Sequence, residues 1–286
     1  MGADWRSGSK RFAVPISKFQ SDVLRLLAAQ RSPDSYIAGG IAINRQGPRF
    51  SRDIDIFHDS AERQESAVKA DETVLIAAGY SITWPPHQRT GKHEAIVEKD
   101  GERMQLEWLT DSAFRFFPTQ TDELFGYVLH PVDLATNKAS AAADRRVPRD
   151  IVDLVTIHET ILPLGAVVVA AVGRFPGATP EEMLAEIVRH SRFTAEEFHA
   201  LATEQPVDVR DLHRRIRRMI EDAERFIAKL PSDAVGVVFL DGNRPVQPDV
   251  DALQRYRRNA GAPGGVWPTS SEITHAMLER YGKPAE

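Results

Sequence analysis

The chain has 286 residues, of which 42% are hydrophobic and 27% are charged, a balance typical of a globular protein with room for two modest domains. The formal net charge of −5 excludes electrostatic binding of nucleic acid by the molecule as a whole, so such a partner would need a local basic patch. The absence of cysteine excludes disulfides, thiolate nucleophiles and cysteine-ligated metal sites, and it is compatible with a reducing cytoplasm.

Two features bear on export and membranes. Residues 1–6 lack the apolar core of a signal peptide. The longest apolar run, over 161–172, is interrupted by Pro163 and Gly165 and is shorter than the roughly 20 residues that a spanning helix needs. We therefore expect a buried core segment there, no membrane partner, and a cytoplasmic protein.

The first half of the chain mixes helix and strand signals. The predicted elements are a helix over 16–30, a short apolar stretch over 36–38, helical turns over 41–45, a strand over 53–57, a helix over 61–78 and a strand over 80–84. Strands over 94–99 and 102–109 flank Asp100-Gly101, a dipeptide that favours a two-residue hairpin turn. A helix over 132–146 follows Pro131, which suits a first helical turn; Pro148 interrupts it, and a helix continues over 149–160.

From about residue 161 helical patterns dominate. They predict helices over 180–189, 194–203 and 209–230, then a strand over 235–240 and a loop-rich region over 241–271 that leaves room for a helix over 249–258. The sequence therefore predicts an α+β protein. A domain with a small mixed sheet would occupy 1–160, and a mainly α-helical domain would occupy 161–286.

Two carboxylates in the first predicted strand indicate a metal site. Asp53 and Asp55 share one face because successive strand side chains point to opposite faces, while Ile54 and Ile56 face the core. Neighbouring carboxylates repel unless a cation lies between them. Hard divalent cations such as Mg²⁺ prefer oxygen ligands and often accompany substrate phosphates. The pair therefore predicts metal-dependent phosphoryl or nucleotidyl transfer.

The remaining parts of such a site have candidates nearby. Glu107 lies on the polar face of the second hairpin strand and is the candidate third carboxylate. Gly39 and Gly40 would let backbone amides approach a phosphate without a Cβ between them. Arg49 and Ser51 could offer a charge and a hydroxyl to the same phosphates.

A second group of charges lies on the helices after residue 130. Lys138 and Arg145 are seven residues apart, two turns on one face, and Lys138 is well placed for a triphosphate. Asp150 and Asp153 are also neighbours on one face, and we favour a structural role for them. Their expected partners are nearby arginines: Arg145, Arg146 and Arg149.

Five arginines lie close together in the helix predicted over 209–230. They are Arg210, Arg214, Arg215, Arg217 and Arg218. A solvated face paired with neighbouring carboxylates is the favoured interpretation, and contact with an RNA backbone is the alternative.

These motifs resemble those of known nucleotidyltransferases. Gly39-Gly40 followed by Arg49-x-Ser51-x-Asp53-x-Asp55 is similar to the first motif of the polymerase-β-like nucleotidyltransferase superfamily. The segment from His130 to Lys138, then Arg145, then Arg149-Asp150-x-x-Asp153, resembles the later motifs of AbiEii-type toxin nucleotidyltransferases, which belong to abortive-infection and toxin–antitoxin systems. The match covers about residues 36–160.

The resemblance implies a role for each motif residue. Asp53, Asp55 and Glu107 would be metal ligands for Mg²⁺ or Mn²⁺, with Lys138 completing the catalytic set. Nucleoside triphosphate (NTP) would be bound by a further group: Gly39, Gly40, Arg49, Ser51, Lys138 and Arg145. The acceptor would be a hydroxyl group, in some relatives that of tRNA, and a cognate antitoxin would be a partner.

Two positions depart from the superfamily pattern. Gly40 stands where a serine is common, and Glu107 stands where an aspartate is common, with Asp111 as a fallback. Two other functions stay open beside toxin nucleotidyl transfer. One is a small-molecule nucleotidyltransferase of the aminoglycoside-modifying kind, and the other is a nucleotide- or partner-binding module without turnover.

Overall fold

The computed structural model describes residues 16–175 and 177–266. Within these ranges the α-helices are α1 Lys18–Ala28, α2 Gly39–Ile43, α3 Ala61–Ala77, α4 Pro131–Asp144, α5 Pro148–Thr160, α6 Leu164–Ala171, α7 Pro180–His190, α8 Ala195–His199 and α9 Val209–Ile227. The strands are β1 Ser35–Ala38, β2 Asp53–His58, β3 Ser81–Thr83, β4 Lys92–Lys99, β5 Glu102–Thr110, β6 Phe114–Arg115, β7 Gln120–Asp122, β8 Gly126–Val128, β9 Val238–Asp241, β10 Arg244–Val246, β11 Arg257–Asn259 and β12 Ala262–Pro263. The N-terminal segment tested for a signal peptide, and residues 267–271 of the predicted loop-rich region, lie outside the described residues.

A seven-stranded mixed sheet organises the first half of the molecule. Its strand order is β3-β4-β5-β2-β1-β8-β7. β2 is parallel to β5, β1 is parallel to β8, and the other neighbours are antiparallel. Asp100 and Gly101, between β4 and β5, both have positive φ, as the predicted tight hairpin turn requires. The predicted α+β architecture, with the sheet first and helices later, is confirmed.

The two faces of the central strands differ in polarity. On β2, Ile54 and Ile56 are fully buried in a core that α1 and α3 complete. Asp53, Asp55 and Phe57 alternate with them and lie on the opposite face. This second face is not sealed by a helix. Instead it borders a cleft whose far wall is α4.

Helices form a second layer around α4, which packs against α5, α6 and α7, while α6 packs against α9. All eight residues of α6 are buried, which confirms a core segment in the apolar run over 161–172. No single helix in the described residues has the length and apolar composition to cross a membrane; only α5 and the segment Leu164–Arg174 together meet that test, and they are bent by 110°. One apolar cluster includes residues from Tyr36 to Leu240, so it extends across residue 160. A domain boundary at that residue stays a prediction.

The helix predicted over 194–203 is too long. α8 ends at His199, because the backbone that follows pairs with the segment before β2. Phe50 N donates to Ala202 O at 2.9 Å, and Glu204 N donates to Pro48 O at 2.9 Å. This backbone pairing cannot be predicted from local helix propensity. It fixes the loop that contains Arg49.

The helix for which the sequence left room over 249–258 is present only in part. Asp249 caps a 3₁₀ segment, Val250–Arg255, whose turn is broken at Ala252 by φ −139° and ψ 32°. The next residues form β11, which hydrogen-bonds to β9. Pairing with a distant strand therefore decides the conformation of a segment whose local sequence suits a helix.

Candidate active site

Three carboxylates meet on the polar face of the sheet. Asp53 and Asp55 lie on β2, and Glu107 lies on β5 directly beside Asp55 in the parallel register. Each can present an oxygen atom within 4.8 Å of the others. Asp111, the fallback third carboxylate, instead pairs with Arg174 at 2.8 Å. The structure thus brings together the three residues that the sequence selected.

The electrostatics of this cluster favour a cation. Burial, followed by the negative charges of Asp53 and Glu107, raises the pKa of Asp55 to about 7. The three carboxylates repel one another when all are ionised, and a divalent cation between them would relieve this repulsion. Their oxygen atoms are ligands that fit Mg²⁺ or Mn²⁺. In the protein, basic side chains already lie at its edges. Lys92 contacts Glu107 at 2.8 Å, and Arg149 contacts Asp53 at 3.4 Å.

The glycine pair allows the turn after β1 to lie against the carboxylates. Gly39 has φ +68°, and a Cβ there would be 1.8 Å from Asp55 Oδ2. A Cβ on Gly40 would be 2.6 Å from Arg49 Nη2 and 3.0 Å from Ser51 Oγ. The space that a serine at position 40 would need is therefore taken by these two side chains. Ser51 supplies a hydroxyl group close by, and it donates to Asp53 at 2.8 Å.

Lys138 lines the cleft but is held by acidic partners from α5. Its ammonium contacts Asp150 at 2.8 Å and Asp153 at 3.0 Å. Burial alone would lower the pKa of Lys138, but the charges of Asp153 and Asp150 outweigh it and raise that pKa. Lys138 therefore stays positively charged although it is buried.

Arg49 and Arg145 are tied to the same two carboxylates. Arg49 forms a two-pronged pair with Asp153, at 3.0 Å through Nε and 2.9 Å through Nη2. Arg145 donates to Asp150 at 2.8 Å. Burial would raise the pKa of Asp150, but the neighbouring cations, Lys138 foremost, hold it below its ordinary value.

The structural role favoured for Asp150 and Asp153 thus involves partners that sequence spacing did not identify. Of the three expected arginines, Arg145 pairs with Asp150 as predicted. Arg146 instead pairs with Glu197, and Arg149 with Asp53. The main partners, Lys138 and Arg49, come from α4 and from the loop before β2. The contact between Arg49 and Asp153 joins segments about 100 residues apart in sequence.

One cavity of about 350 Å³ is lined by every residue predicted for the site. These residues are Gly39, Gly40, Arg49, Ser51, Asp53, Asp55, Glu107, Lys138 and Arg145. The cavity also has members that the sequence did not single out, among them Phe57, Leu109, Leu134, Asn137, Arg174 and Phe175. Strand periodicity could have identified Phe57 and Leu109, which follow Asp55 and Glu107 by two residues. Nothing local identifies Arg174.

The arginines of α9 lie outside this cavity. Arg214 pairs with Asp211, Arg215 contacts Glu159 at 2.5 Å, and Arg218 lies 3.9 Å from Asp222. These pairs agree with a solvated helix face. A contact between α9 and RNA stays a prediction.

Comparison with solved structures bears on the fold. The structure is similar to MenT4, a nucleotidyltransferase toxin from Mycobacterium tuberculosis H37Rv, with a TM-score of 0.52 and 16% identity over 76% of this chain and 84% of that chain. It is also similar to JHP933 from Helicobacter pylori, with a TM-score of 0.46 and 14% identity over 76% of this chain and 95% of that one. A comparison with curated protein sequences gives no match. The fold is that of a nucleotidyltransferase.

The family follows from sequence. The profile of the family described as "Nucleotidyl transferase AbiEii toxin, Type IV TA system" matches residues 25–253. The chain therefore belongs to the AbiEii nucleotidyltransferase toxin family, as its motifs predicted.

Proposed function

We propose that the protein transfers a nucleoside monophosphate from an NTP to the hydroxyl group of an RNA, including tRNA. The observation that carries this proposal is the single cleft in which Asp53, Asp55 and Glu107 converge beside a cationic end. The acceptor oxygen would form a bond to the α-phosphorus, and the bond to pyrophosphate would break with its electron pair leaving on pyrophosphate. NTP and RNA pools would place this reaction in the cytoplasm, and the family description supports a cognate antitoxin as partner.

The three carboxylates would hold one or two Mg²⁺ or Mn²⁺ ions. When bound, such ions supply charge neutralisation on the triphosphate and polarise the attacking hydroxyl group. Within the chain, Ser51 orients Asp53 through its 2.8 Å hydrogen bond, and Gln105 orients Glu107 through a 2.6 Å hydrogen bond. These contacts fix the carboxylates before substrate arrives, which is the preorganisation that catalysis needs.

The cationic end of the cleft would bind the triphosphate. Lys138, Arg49 and Arg145 carry three positive charges against two from Asp150 and Asp153, so the group keeps one net positive charge. Gly39 and Gly40 add a turn without side chains next to Asp55. The carboxylates of α5 accept only some of the hydrogen bonds that these three side chains can donate, and phosphate oxygens would accept the others.

The rim of the cleft favours a polyanionic acceptor. Arg145 and Arg149 expose 47% and 38% of their side chains at its edge. An aminoglycoside carries positive charge, and these arginines would repel it. RNA presents phosphates to the same side chains. The arginines at the rim therefore favour RNA over a cationic small molecule as the acceptor.

Labelled-nucleotide transfer tests the proposal. The purified full-length protein is incubated with Mg²⁺, total cellular RNA and each α-labelled NTP in turn, and products are separated on a gel. We expect a labelled RNA band with at least one NTP. We expect Asp53→Asn and Asp55→Asn to reduce labelling by at least about a hundredfold, since removal of a metal ligand removes charge stabilisation of the transition state.

Asp22→Asn is the matched control, since Asp22 lies on the exposed face of α1 and pairs with Lys18. It should label RNA like the wild type. Unchanged labelling by the Asp53 and Asp55 variants would contradict the assigned site. Tight NTP binding without release of pyrophosphate would point to a binding module instead.

A further inference from the structure

The cleft continues past the carboxylates into a section that the proposed chemistry does not use. Phe57 follows Asp55 by two residues on the same face of β2, and Leu109 follows Glu107 on β5, beside Phe57 in the register. Two residues of strand advance about 7 Å. We call this section the distal half of the cleft; it is formed by Phe57, Leu109, Leu134, Asn137, Arg174 and Phe175.

The distal half has a supported aromatic floor. Phe57 stacks on Tyr36, with ring centroids 6.4 Å apart and planes 13° apart. The Arg115 guanidinium also lies 4.8 Å from the centroid of the Tyr36 ring. At the mouth, Phe175 is 44% exposed. An exposed aromatic ring beside a cleft is available for stacking, because its burial there would remove apolar surface from water.

The polar groups of the distal half are arranged without net charge. Asp111 accepts from Arg174 Nη2 through both carboxylate oxygens at 2.8 Å, which neutralises the guanidinium. Arg174 Nη1 donates to the Asn137 side-chain oxygen. Because that oxygen is engaged, the amide nitrogen is the group of Asn137 that can still donate to a ligand. Asn137 directly precedes Lys138 on α4, so one helix presents both groups to the cleft.

We propose that the distal half binds the nucleobase of the donor NTP, with Phe175 and Phe57 contacting the base and Asn137 donating to its edge. This inference rests on the proposed function. Phosphates are drawn to the cationic end of the cleft, whereas a flat, uncharged base suits an apolar slot with one hydrogen-bond donor. The carboxylates lie between the two ends, where the α-phosphate of an NTP joins its triphosphate to its nucleoside.

Equilibrium binding separates this role from binding of phosphate. The full-length protein is titrated calorimetrically with ATP, GTP, CTP and UTP, and with inorganic triphosphate, each with Mg²⁺. Asn137→Asp keeps the shape and the oxygen that faces Arg174 but replaces the donor with an acceptor. We expect it to change the relative affinities of the four NTPs by about fivefold or more. The added negative charge should lower the affinity for inorganic triphosphate and for all four NTPs alike, so the ratios among the four NTPs are the quantity that tests the role of Asn137.

Phe175→Ala gives a second, independent readout, because removal of an exposed side chain does not threaten folding. It should weaken all four NTPs by about fivefold or more, the loss expected for base stacking, and leave inorganic triphosphate unaffected. Asn243→Asp, in an exposed turn after β9, is the matched control and should bind every ligand like the wild type.

Three results would overturn the inference. Unchanged ratios among the four NTPs in Asn137→Asp, together with unchanged affinities in Phe175→Ala, would place the base elsewhere. A loss of RNA labelling in the transfer assay, with NTP binding intact, would make the distal half a subsite for the acceptor. Equal losses for NTPs and inorganic triphosphate in Phe175→Ala would indicate a general disturbance of the cleft. Failure of the wild type to bind any NTP or triphosphate would instead refute the proposed function itself.

Discussion

Asp55 lies at the centre of the acidic cluster in the candidate site. It lies beside Asp53 along β2 and beside Glu107 across the sheet. A Cβ at Gly39 would collide with it, so its position depends on a glycine in the preceding turn. Burial, followed by the charges of Asp53 on its own strand and Glu107 on β5, raises its pKa.

The raised pKa of Asp55 predicts how stability depends on pH. With a pKa of about 7 against an ordinary 3.8, the folded protein keeps a proton that the unfolded chain loses between these values. The metal-free protein should therefore lose stability as pH rises through this window. Mg²⁺ should raise the melting temperature by at least about 3 °C more at about pH 8 than at about pH 5, where the proton competes with the ion.

Differential scanning calorimetry with and without Mg²⁺ measures this difference. Asp55→Asn cannot ionise, so the pH dependence attributable to position 55 should disappear and the response to Mg²⁺ should weaken. An equal response to Mg²⁺ at both pH values in the wild type would contradict the assignment.

A serine at position 40 should destabilise the protein. Gly40→Ser restores the common superfamily pattern, yet its Cβ would lie 2.6 Å from Arg49 Nη2 and 3.0 Å from Ser51 Oγ. We expect it to reduce the free energy of unfolding by about 1–3 kcal/mol, the usual cost of overpacking. Urea denaturation measures the loss. Gly40→Ser combined with Ser51→Ala should recover part of it, since the pair is coupled; strictly additive losses would show that the two sites are independent.

At the scale of elements, α5 determines the position of the basic groups of the cleft. Asp153 joins α5 to the Arg49 loop, to Lys138 on α4 and to Asn44 after α2, at 2.9, 3.0 and 2.8 Å. All of its side chain is buried. One residue thus connects four segments, and the alignment of the cleft depends on the packing of α5 as much as on the sheet.

Asp153→Asn tests this connection. It keeps the shape of the side chain but removes the charge that compensates Arg49 and Lys138, so we expect a loss of about 3–5 kcal/mol in the free energy of unfolding, the cost of breaking a buried pair. Asp22→Asn removes an exposed partner of Lys18 and should cost under about 1 kcal/mol. Comparable losses from the two variants in urea denaturation would mean that Asp153 is not a structural connection.

At the scale of the whole molecule, one apolar cluster extends across residue 160, while the central strands pack in a second cluster with α1. The apolar cluster that contains Tyr36 and Leu129 also contains Val167 of α6, Ile216 of α9 and Leu240 of β9. A division near residue 160 stays a prediction about architecture. Because this cluster contains residues from both sides of residue 160, we expect the two parts to unfold together.

A single unfolding transition is therefore expected for the full chain. After replacement of Trp5 and Trp267 by phenylalanine, fluorescence would report on Trp84 and Trp108 in the sheet half, while circular dichroism at 222 nm would report on all helices. The two urea curves should coincide. A fragment over 1–160 should expose the buried face of α4 and fail to fold cooperatively; separate transitions would contradict the expectation that the two parts unfold together.

Much of the fold could be predicted from the sequence, because its strongest signals are local. The alternation of Asp53 to Phe57, the Asp100-Gly101 turn and the proline-led start of α4 each depend on a few consecutive residues. The predictions failed where distant backbone took over. α8 is cut short by pairing with residues 48–50, and β11 replaces a helix because β9 engages it.

The candidate site divides in the same way. The sequence by itself determined the family and the carboxylate pair Asp53 and Asp55, because strand periodicity places side chains of alternate residues on one face whatever surrounds the strand. Only the tertiary structure decided that Glu107 rather than Asp111 joins them, that Asp150 and Asp153 hold Lys138 and Arg49, and that an aromatic slot extends the cleft. The Arg49–Asp153 contact joins residues about 100 positions apart, and the partners in these contacts are selected by packing and by the cost of leaving a charge buried alone, which no local pattern encodes.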